Sequence, residues 1–561
     1  MLNKTVEKSV AWFIFFGVPF TTLFLMTDTV SDPVNVTKLF AAGCVGGGVF
    51  AIALIYGLKE IWVSAKLLVI ATVLFLIAGL NAVVNSNTPL TQNLYGVFGR
   101  QTGYITYILL IMSMLGATLL RLKKSFDLLV WALLISGAVN ILYCAWAILF
   151  GDFIGWNNPY GNILGLFGNP NFIGAFLGMF ITGSVAFAFS SHFAWKYRIS
   201  FILLGIVALY EIKNSHAVQG LVVTGAGLAM IGFYLVRSKT KGWALTGGYL
   251  AGIAVIGGFA LAGALQKGPL ASIIYKTSVS LRGQYWAAGL RMGSENPLTG
   301  IGMDSYGNYY RSARSEYAAT VLPGPKVISN AAHNVVIDIF SYGGFPLLIS
   351  YLAILLIGIW AILRISHRNR AYDGTFVALA TTWLAYQLQS IISINQIGLA
   401  IWGWVLVGAL VSYEYSTRPK LESPDKGKSI KQKELVFSPQ LVGGIGVVVG
   451  ALIAVPPMAA DMKYKSALKA QNVQQVEAAL TPTYLTPQDS SRLAQAALLF
   501  ESSKLPDLAY KYAKQGVAFS PDYFDAWRVL YSVSKASQQD RDEALKNMKR
   551  LDPLNPDVLA Q

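Results

Sequence analysis

Apolar runs of about 20 residues recur along this chain from one end to the other, and that restricts it to very few folds. About 20 apolar residues in a row is what a helix needs to cross a bilayer core. In hydrocarbon every backbone N–H and C=O must be satisfied by the spanning structure itself. Thirteen such runs are predicted, over residues 9–27, 37–57, 65–85, 102–120, 126–150, 170–190, 199–213, 217–236, 243–265, 334–363, 375–394, 397–416 and 439–459. Charged residues make up 13% of the chain, well under the roughly 25% of soluble domains. A membrane β-barrel would show short alternating segments instead. The expected fold class is all-α: a polytopic transmembrane helical bundle with a large extracytoplasmic loop and a C-terminal helical-repeat domain. The first run follows Lys4 and Lys8 and reads as a first span, not as a cleaved leader.

The formal net charge is +16, which in a soluble protein would point to nucleic acid. Here the basic residues gather in alternate connections, as the positive-inside bias requires. Arg121, Lys123 and Lys124 share one connection, Lys196 and Arg198 the next, Arg237, Lys239 and Lys241 a third, and Arg364, Arg368 and Arg370 a fourth. The connection 417–438 carries Arg418, Lys420, Lys426, Lys428, Lys431 and Lys433. That side is expected to be cytoplasmic, which leaves 86–101, 151–169 and 266–333 outside. The domain reading is 1–416 for the membrane domain, 417–438 for a cytoplasmic linker, 439–459 for the last span and 460–561 for an extracytoplasmic helical domain.

The loop 266–333 breaks the charge rule. It holds seven basic residues (Lys267, Lys276, Arg282, Arg291, Arg311, Arg314, Lys326) against three acidic ones (Glu295, Asp304, Glu316), a net +4. Loops this long inside compact membrane domains are uncommon and usually functional. Arginine forks match phosphate oxygens, so an anionic substrate is one reading and contact with anionic headgroups the other. Cys44 and Cys144 sit in apolar runs and make no metal or disulfide pattern. His192, His216, His333 and His367 have no carboxylate or thiol at ligand spacing. Neither a nucleotide-binding loop nor a dinucleotide fingerprint is present. No cofactor and no metal is expected, and any donor must arrive already activated.

Beyond Asp461 the chain turns polar and helical in pattern, and Ser520-Pro521-Asp522 recurs 35 residues later as Asn555-Pro556-Asp557. A period near 34 with proline closing each helix pair resembles a tetratricopeptide repeat. Generic helical hairpins account for it equally well.

Three loop segments make a pattern when taken together: Leu281-Arg282-Gly283-Gln284-Tyr285-Trp286, then Asn296-Pro297-Leu298-Thr299-Gly300-Ile301-Gly302, then His333-Asn334 opening a span that continues to Tyr342-Gly343-Gly344. In order and spacing, with 51 residues between Arg282 and His333, they resemble the O-antigen ligase and O-antigen polymerase superfamily. Phe167-Gly168-Asn169-Pro170-Asn171-Phe172 and Phe98-Gly99-Arg100-Gln101-Thr102-Gly103 resemble its members with C-terminal repeats. The resemblance covers about 90–416 and the tail.

What the resemblance implies is an inverting, metal-independent membrane glycosyltransferase. Its donor would be a glycan on undecaprenyl diphosphate, at the outer face of the bacterial cytoplasmic membrane. Its acceptor would be a hydroxyl of a lipid, a growing glycan or a protein. Charge developing on the leaving diphosphate needs fixed cations, which is the role expected of Arg282. The attacking hydroxyl needs a base of suitable pKa, the role expected of His333. Many members carry a further arginine on an earlier span, where this chain reads Asn214-Ser215-His216-Ala217-Val218-Gln219-Gly220. Lys213, His216, Gln219 or Arg100 would take its place. Arg291, Arg311, Arg314, Asn334, Asp304 and Tyr306 complete the candidate substrate contacts. Asn334 also suits a helix cap, and Tyr306, Tyr309 and Tyr310 suit either sugar stacking or loop packing.

Within the superfamily the readings are ligase or polymerase, and protein O-oligosaccharyltransferase. Outside it, a lipid-linked glycan flippase would show repeated halves with broken helices around a midplane site, which the sequence does not display. Expected partners are the lipid-linked glycan, the acceptor, membrane lipids and a protein held by the C-terminal repeats, with no nucleic acid.

Overall fold

The computed structural model describes residues 2–156, 158, 161–274, 277–419 and 436–560. Lys420, Lys426, Lys428, Lys431 and Lys433 of the basic connection, and Lys276 of the long loop, lie outside the described residues. The described chain is helical. Its membrane part runs through α1 (Lys4–Leu23), α2 (Asn35–Ile52), α3 (Leu58–Asn85), a short α4 (Leu90–Tyr95), α5 (Tyr104–Ala117), α6 (Lys123–Phe150), α7 (Pro170–Ala188), α8 (Trp195–Asn214), α9 (Val218–Lys239) and α10 (Trp243–Ala264). The polar loop holds α11 (Ala271–Ile274), α12 (Thr277–Glu295), α13 (Tyr306–Ala313) and α14 (Glu316–Thr320). Then come α15 (Val335–Arg368), α16 (Gly374–Ile392), α17 (Ile397–Ser416) and α18 (Pro439–Ala470). The polar tail contains α19 (Val473–Leu480), α20 (Ser490–Ser502), α21 (Pro506–Phe519), α22 (Phe524–Ser532), α23 (Gln538–Leu551) and α24 (Pro556–Leu559).

Each of the thirteen predicted apolar runs is helical. Eight helices among the described residues are long and apolar enough to cross a membrane, and the chain is a multi-pass helical membrane protein. Two details differ from expectation. The runs 37–57 and 65–85 are not separated by a loop. Helix continues from Asn35 to Asn85 through a π-turn at Ala53–Gly57 and a kink at Ala65. The last span also does not stop near residue 459, because α18 runs on to Ala470 despite Pro456 and Pro457.

The helix starts follow from the sequence. The side chains of Asn169, Asn334, Asp373, Gln396 and Ser438 accept hydrogen bonds from the first-turn amides of α7, α15, α16, α17 and α18, which relieves the orphan donors there. Pro170 and Pro439 sit in the first turn, where a missing N–H costs nothing. The most apolar window of α17 is 100% buried and that of α10 only 6%, so α17 forms the centre of the bundle and α10 its rim. Trp402 of α17 and Trp383 of α16 fill the interior. The closest helix crossing joins α2 to α18 through glycine. A Cβ on Gly43, Gly47, Gly446 or Gly450 would run into the facing backbone, the small-residue contact by which membrane helices approach most closely.

The tail helices pack on one another around Leu493, Phe500, Tyr512, Trp527, Leu530 and Met548. They are not detached from the rest. Asp461 accepts from the amides of Ser31 (2.6 Å) and Asp32 (2.9 Å) and pairs with Arg492 at 3.3 Å.

Candidate functional site

The site is built around a break in α15. Gly343 and Gly344 leave helical geometry, with Gly344 at φ 63°, and the Pro297–Gly302 turn fits into the gap. Ile301 N–H donates to Ser341 O (2.9 Å), Gly302 N–H to Tyr342 O (3.1 Å) and Phe345 N–H to Pro297 O (2.8 Å). A Cβ at Gly300 would overlap the Tyr342 backbone, and one at Gly344 the Pro297 carbonyl. The turn is therefore a docking element that occupies the carbonyls and amides freed by the break. On its other side Asn93 Oδ1 accepts from Met303 N–H at 2.7 Å, and Thr88 Oγ1 donates to Ile301 O at 3.2 Å.

This frame fixes the start of α15 and the residue just before it, His333. Asn334 caps the helix, accepting from Val336 and Ile337. The carboxylate of Asp338, in the first turn, accepts from Ala332 N–H at 2.7 Å. His333 sits between those two anchors with φ 56°, a left-handed backbone that costs a non-glycine residue energy and is held only by its surroundings. Its ring stacks on Tyr285, centroids 5.5 Å apart. Tyr285 is fixed in turn, since the buried Tyr306 hydroxyl donates to its carbonyl at 2.6 Å.

Arg282 lies three residues before Tyr285 on α12, hence on the same helix face. Arg100 reaches the site from the loop after α4. The carboxylate of Asp304, itself at φ 51°, accepts from Val97 N–H (2.9 Å) and Thr102 N–H (3.2 Å) and so pins that loop. Burial lowers the His333 pKa to about 4, helped by the positive charges of Arg100 and Arg282. Burial also lowers the pKa of Arg282. Among the described residues neither guanidinium has a hydrogen-bonded or ion-paired carboxylate partner, and Nη1 of Arg100 is buried with no partner at all. Two cations and a neutral imidazole thus converge at one end of α15.

Other residues put forward from sequence have other partners. Arg311 and Arg314 both pair with Asp552, at 2.9 and 2.7 Å, and the Arg314 and Asp552 side chains are fully buried. One carboxylate of the tail helices thus serves both guanidiniums. Gln219 donates to Gln389 at 3.0 Å, a bond between α9 and α16. Arg291 pairs with Glu295 in an exposed i, i+4 bridge. Lys213 and His216 are exposed at the α8–α9 junction. Asn334 is a cap, and Asp304 and Tyr306 are buried braces. Of the four residues considered for the missing arginine, Arg100 is the one whose charge acts on His333.

Arg100 also lines a cavity of about 570 Å3 together with Asp32, Asn35, Trp156, Asn169 and Gln396. Tyr285, Asp338 and Asp32 were missed as site residues. A signal existed for Asp338, a carboxylate inside an apolar run. None existed for Asp32, which resembles any polar residue in a short connection.

The fold and this centre define a class: a multi-pass helical membrane protein in which His333 and Arg282 of the polar loop meet Arg100 from the loop after α4. Residues 201–352, from α8 to the middle of α15, match the family described as O-antigen ligase, and this stretch belongs to the O-antigen ligase superfamily. It contains Arg282, the Pro297–Gly302 turn and His333. No curated protein matches the chain closely enough to stand as a relative.

Proposed function

We propose that the protein transfers a glycan from an undecaprenyl diphosphate carrier to an acceptor hydroxyl, as an O-antigen ligase or polysaccharide polymerase, at the outer face of the bacterial cytoplasmic membrane. The observation that carries this reading is His333, held in a left-handed backbone at the start of α15 and stacked on Tyr285, near enough to Arg100 and Arg282 for their charges to act on it. The acceptor oxygen forms a bond to the anomeric carbon while its proton passes to the His333 imidazole. The bond from that carbon to the diphosphate oxygen breaks, and its electron pair leaves with the diphosphate. The carbon inverts. The charge gained by the leaving group is met by the Arg282 and Arg100 guanidiniums, which are already in position. A pKa near 4 keeps the imidazole unprotonated, and an anionic diphosphate at Arg100 and Arg282 would offset their charges and raise it toward the working pH, where base catalysis is most efficient.

A protein acceptor is the second reading, favoured by the tail helices docking on the loop through Asp552. Stacked helical hairpins commonly hold peptides on a concave face.

The test mixes purified protein with undecaprenyl diphosphate-linked glycan and lipid, glycan or protein acceptors in EDTA. Transfer that disappears with His333→Gln and with Arg282→Gln is expected. Carrier movement across a vesicle bilayer without transfer would replace this reading with a flippase.

A further inference from the structure

The cavity beside Arg100 has no part in the proton transfer or the charge stabilisation just described, yet it is built from polar side chains. Its volume, about 570 Å3, lies within the ~300–1,000 Å3 of small-ligand pockets. The segments lining it are far apart in sequence: the connection before α2 (Asp32, Asn35), the loop after α4 (Arg100), the loop before α7 (Trp156, Asn169) and the start of α17 (Gln396). Three of these residues each bury a polar atom with no hydrogen-bond partner among the described residues: Asp32 Oδ2, Gln396 Nε2 and Arg100 Nη1. Leaving such a group unsatisfied carries a desolvation penalty, so clustering three of them at one cavity favours a ligand that supplies the missing bonds.

In two of these groups, Asp32 and Gln396, the other half is occupied. Asp32 Oδ1 accepts from the Val34 and Asn35 amides, and Gln396 Oε1 caps α17 through Leu399 N–H. Asn35 Nδ2 donates to Gly99 O at 2.8 Å, tying the wall to the Arg100 loop. Each side chain is therefore fixed by one atom and free at the other. A free carboxylate oxygen accepts from a hydroxyl, a free amide N–H donates to one, and Trp156 offers a ring face beside them. That is the chemistry of a sugar.

We infer that this cavity is the donor-sugar subsite, in which the sugar next to the diphosphate is read by Asp32 and Gln396. The inference rests on the transfer reading, since the phosphates must lie at Arg100 for the attached sugar to enter the cavity.

The caps allow near-isosteric tests. Asp32→Asn and Gln396→Glu keep the capping oxygen and reverse the hydrogen-bonding sense of the free atom. Binding of purified protein would be measured for sugar-free undecaprenyl diphosphate. It would then be measured for the same lipid carrying N-acetylglucosamine, N-acetylgalactosamine, glucose or galactose. Wild type should bind at least one sugar-bearing lipid about tenfold more tightly than the sugar-free one. Each variant should bring that ratio close to one while leaving the sugar-free affinity unchanged. Arg100→Gln should weaken all of them together. Absence of any sugar preference in wild type, or its persistence in both variants, overturns the subsite while the carrier reading stands. Equal weakening of the sugar-free lipid in both variants also overturns it, because the residues would then act on the wall and not on the sugar. No binding of undecaprenyl diphosphate by wild type overturns the transfer reading and the subsite with it.

Discussion

His333 combines three constraints in one residue: a left-handed backbone, a stacked aromatic partner and two nearby guanidiniums. Replacing it by glutamine keeps a polar side chain and removes the base. Transfer should fall by about 10²–10⁴-fold, with membrane insertion and thermal stability retained. The pH profile follows from the sign of the shift. His333 works unprotonated, so kcat/KM should fall as pH drops through about 4. Arg282→Gln removes a charge that lowers this pKa, so the acid limb should move to higher pH in whatever activity remains. An unmoved limb would detach the profile from His333. Folding responds in the same window. The unfolded state takes the proton first, so the penalty from this group is absent above pH 6.5 and grows as pH falls to about 4. Arg282 and His333 were put forward from sequence on residue type and spacing, and the structure brings the Arg282 charge to act on His333. The fate of Arg314 was not legible, because the carboxylate that neutralises it lies 238 positions away.

At the level of elements, the Pro297–Gly302 turn and the broken α15 form one unit. Gly300, at φ 62°, has no room for a Cβ against Tyr342. Gly300→Ala should destabilise the protein by about 2–4 kcal/mol, from backbone strain and overpacking together. Transfer should fall as well, since the start of α15 carries His333. Thermal unfolding and single-turnover transfer check the two effects separately, and an alanine variant of wild-type stability would show that the turn is not docked as described. The apolar runs located the long apolar helices, because burial in lipid leaves the chain little choice, and missed the polar 19-residue α12. What it could not reveal was how helices join. A π-turn and a kink need only a few altered dihedrals, and the polar break at Lys59 and Glu60 reads equally well as a loop. The polar loop likewise read as a long connection but contains α11 to α14, whose packing depends on α15 and the tail.

Across the whole molecule, the tail is fastened to the loop by a buried cluster in which Asp552 serves both Arg311 and Arg314. Removing one partner of a buried pair leaves uncompensated charge and costs about 3–5 kcal/mol. Asp552→Ala should therefore loosen the tail from the loop. Limited proteolysis after α18 should speed up in the variant, and equal protection in both forms would mean that other contacts hold the tail. The crossing of α2 with α18 has a consequence in time. The wall of the cavity beside Arg100 is held by Asp461 and Lys465 of α18, while Asp32 and Asn35 precede or begin α2. About 400 residues separate the two helices, so at ribosomal speed the first waits roughly 20–80 s for the second. The pocket nearest the start of the chain is thus among the last to close.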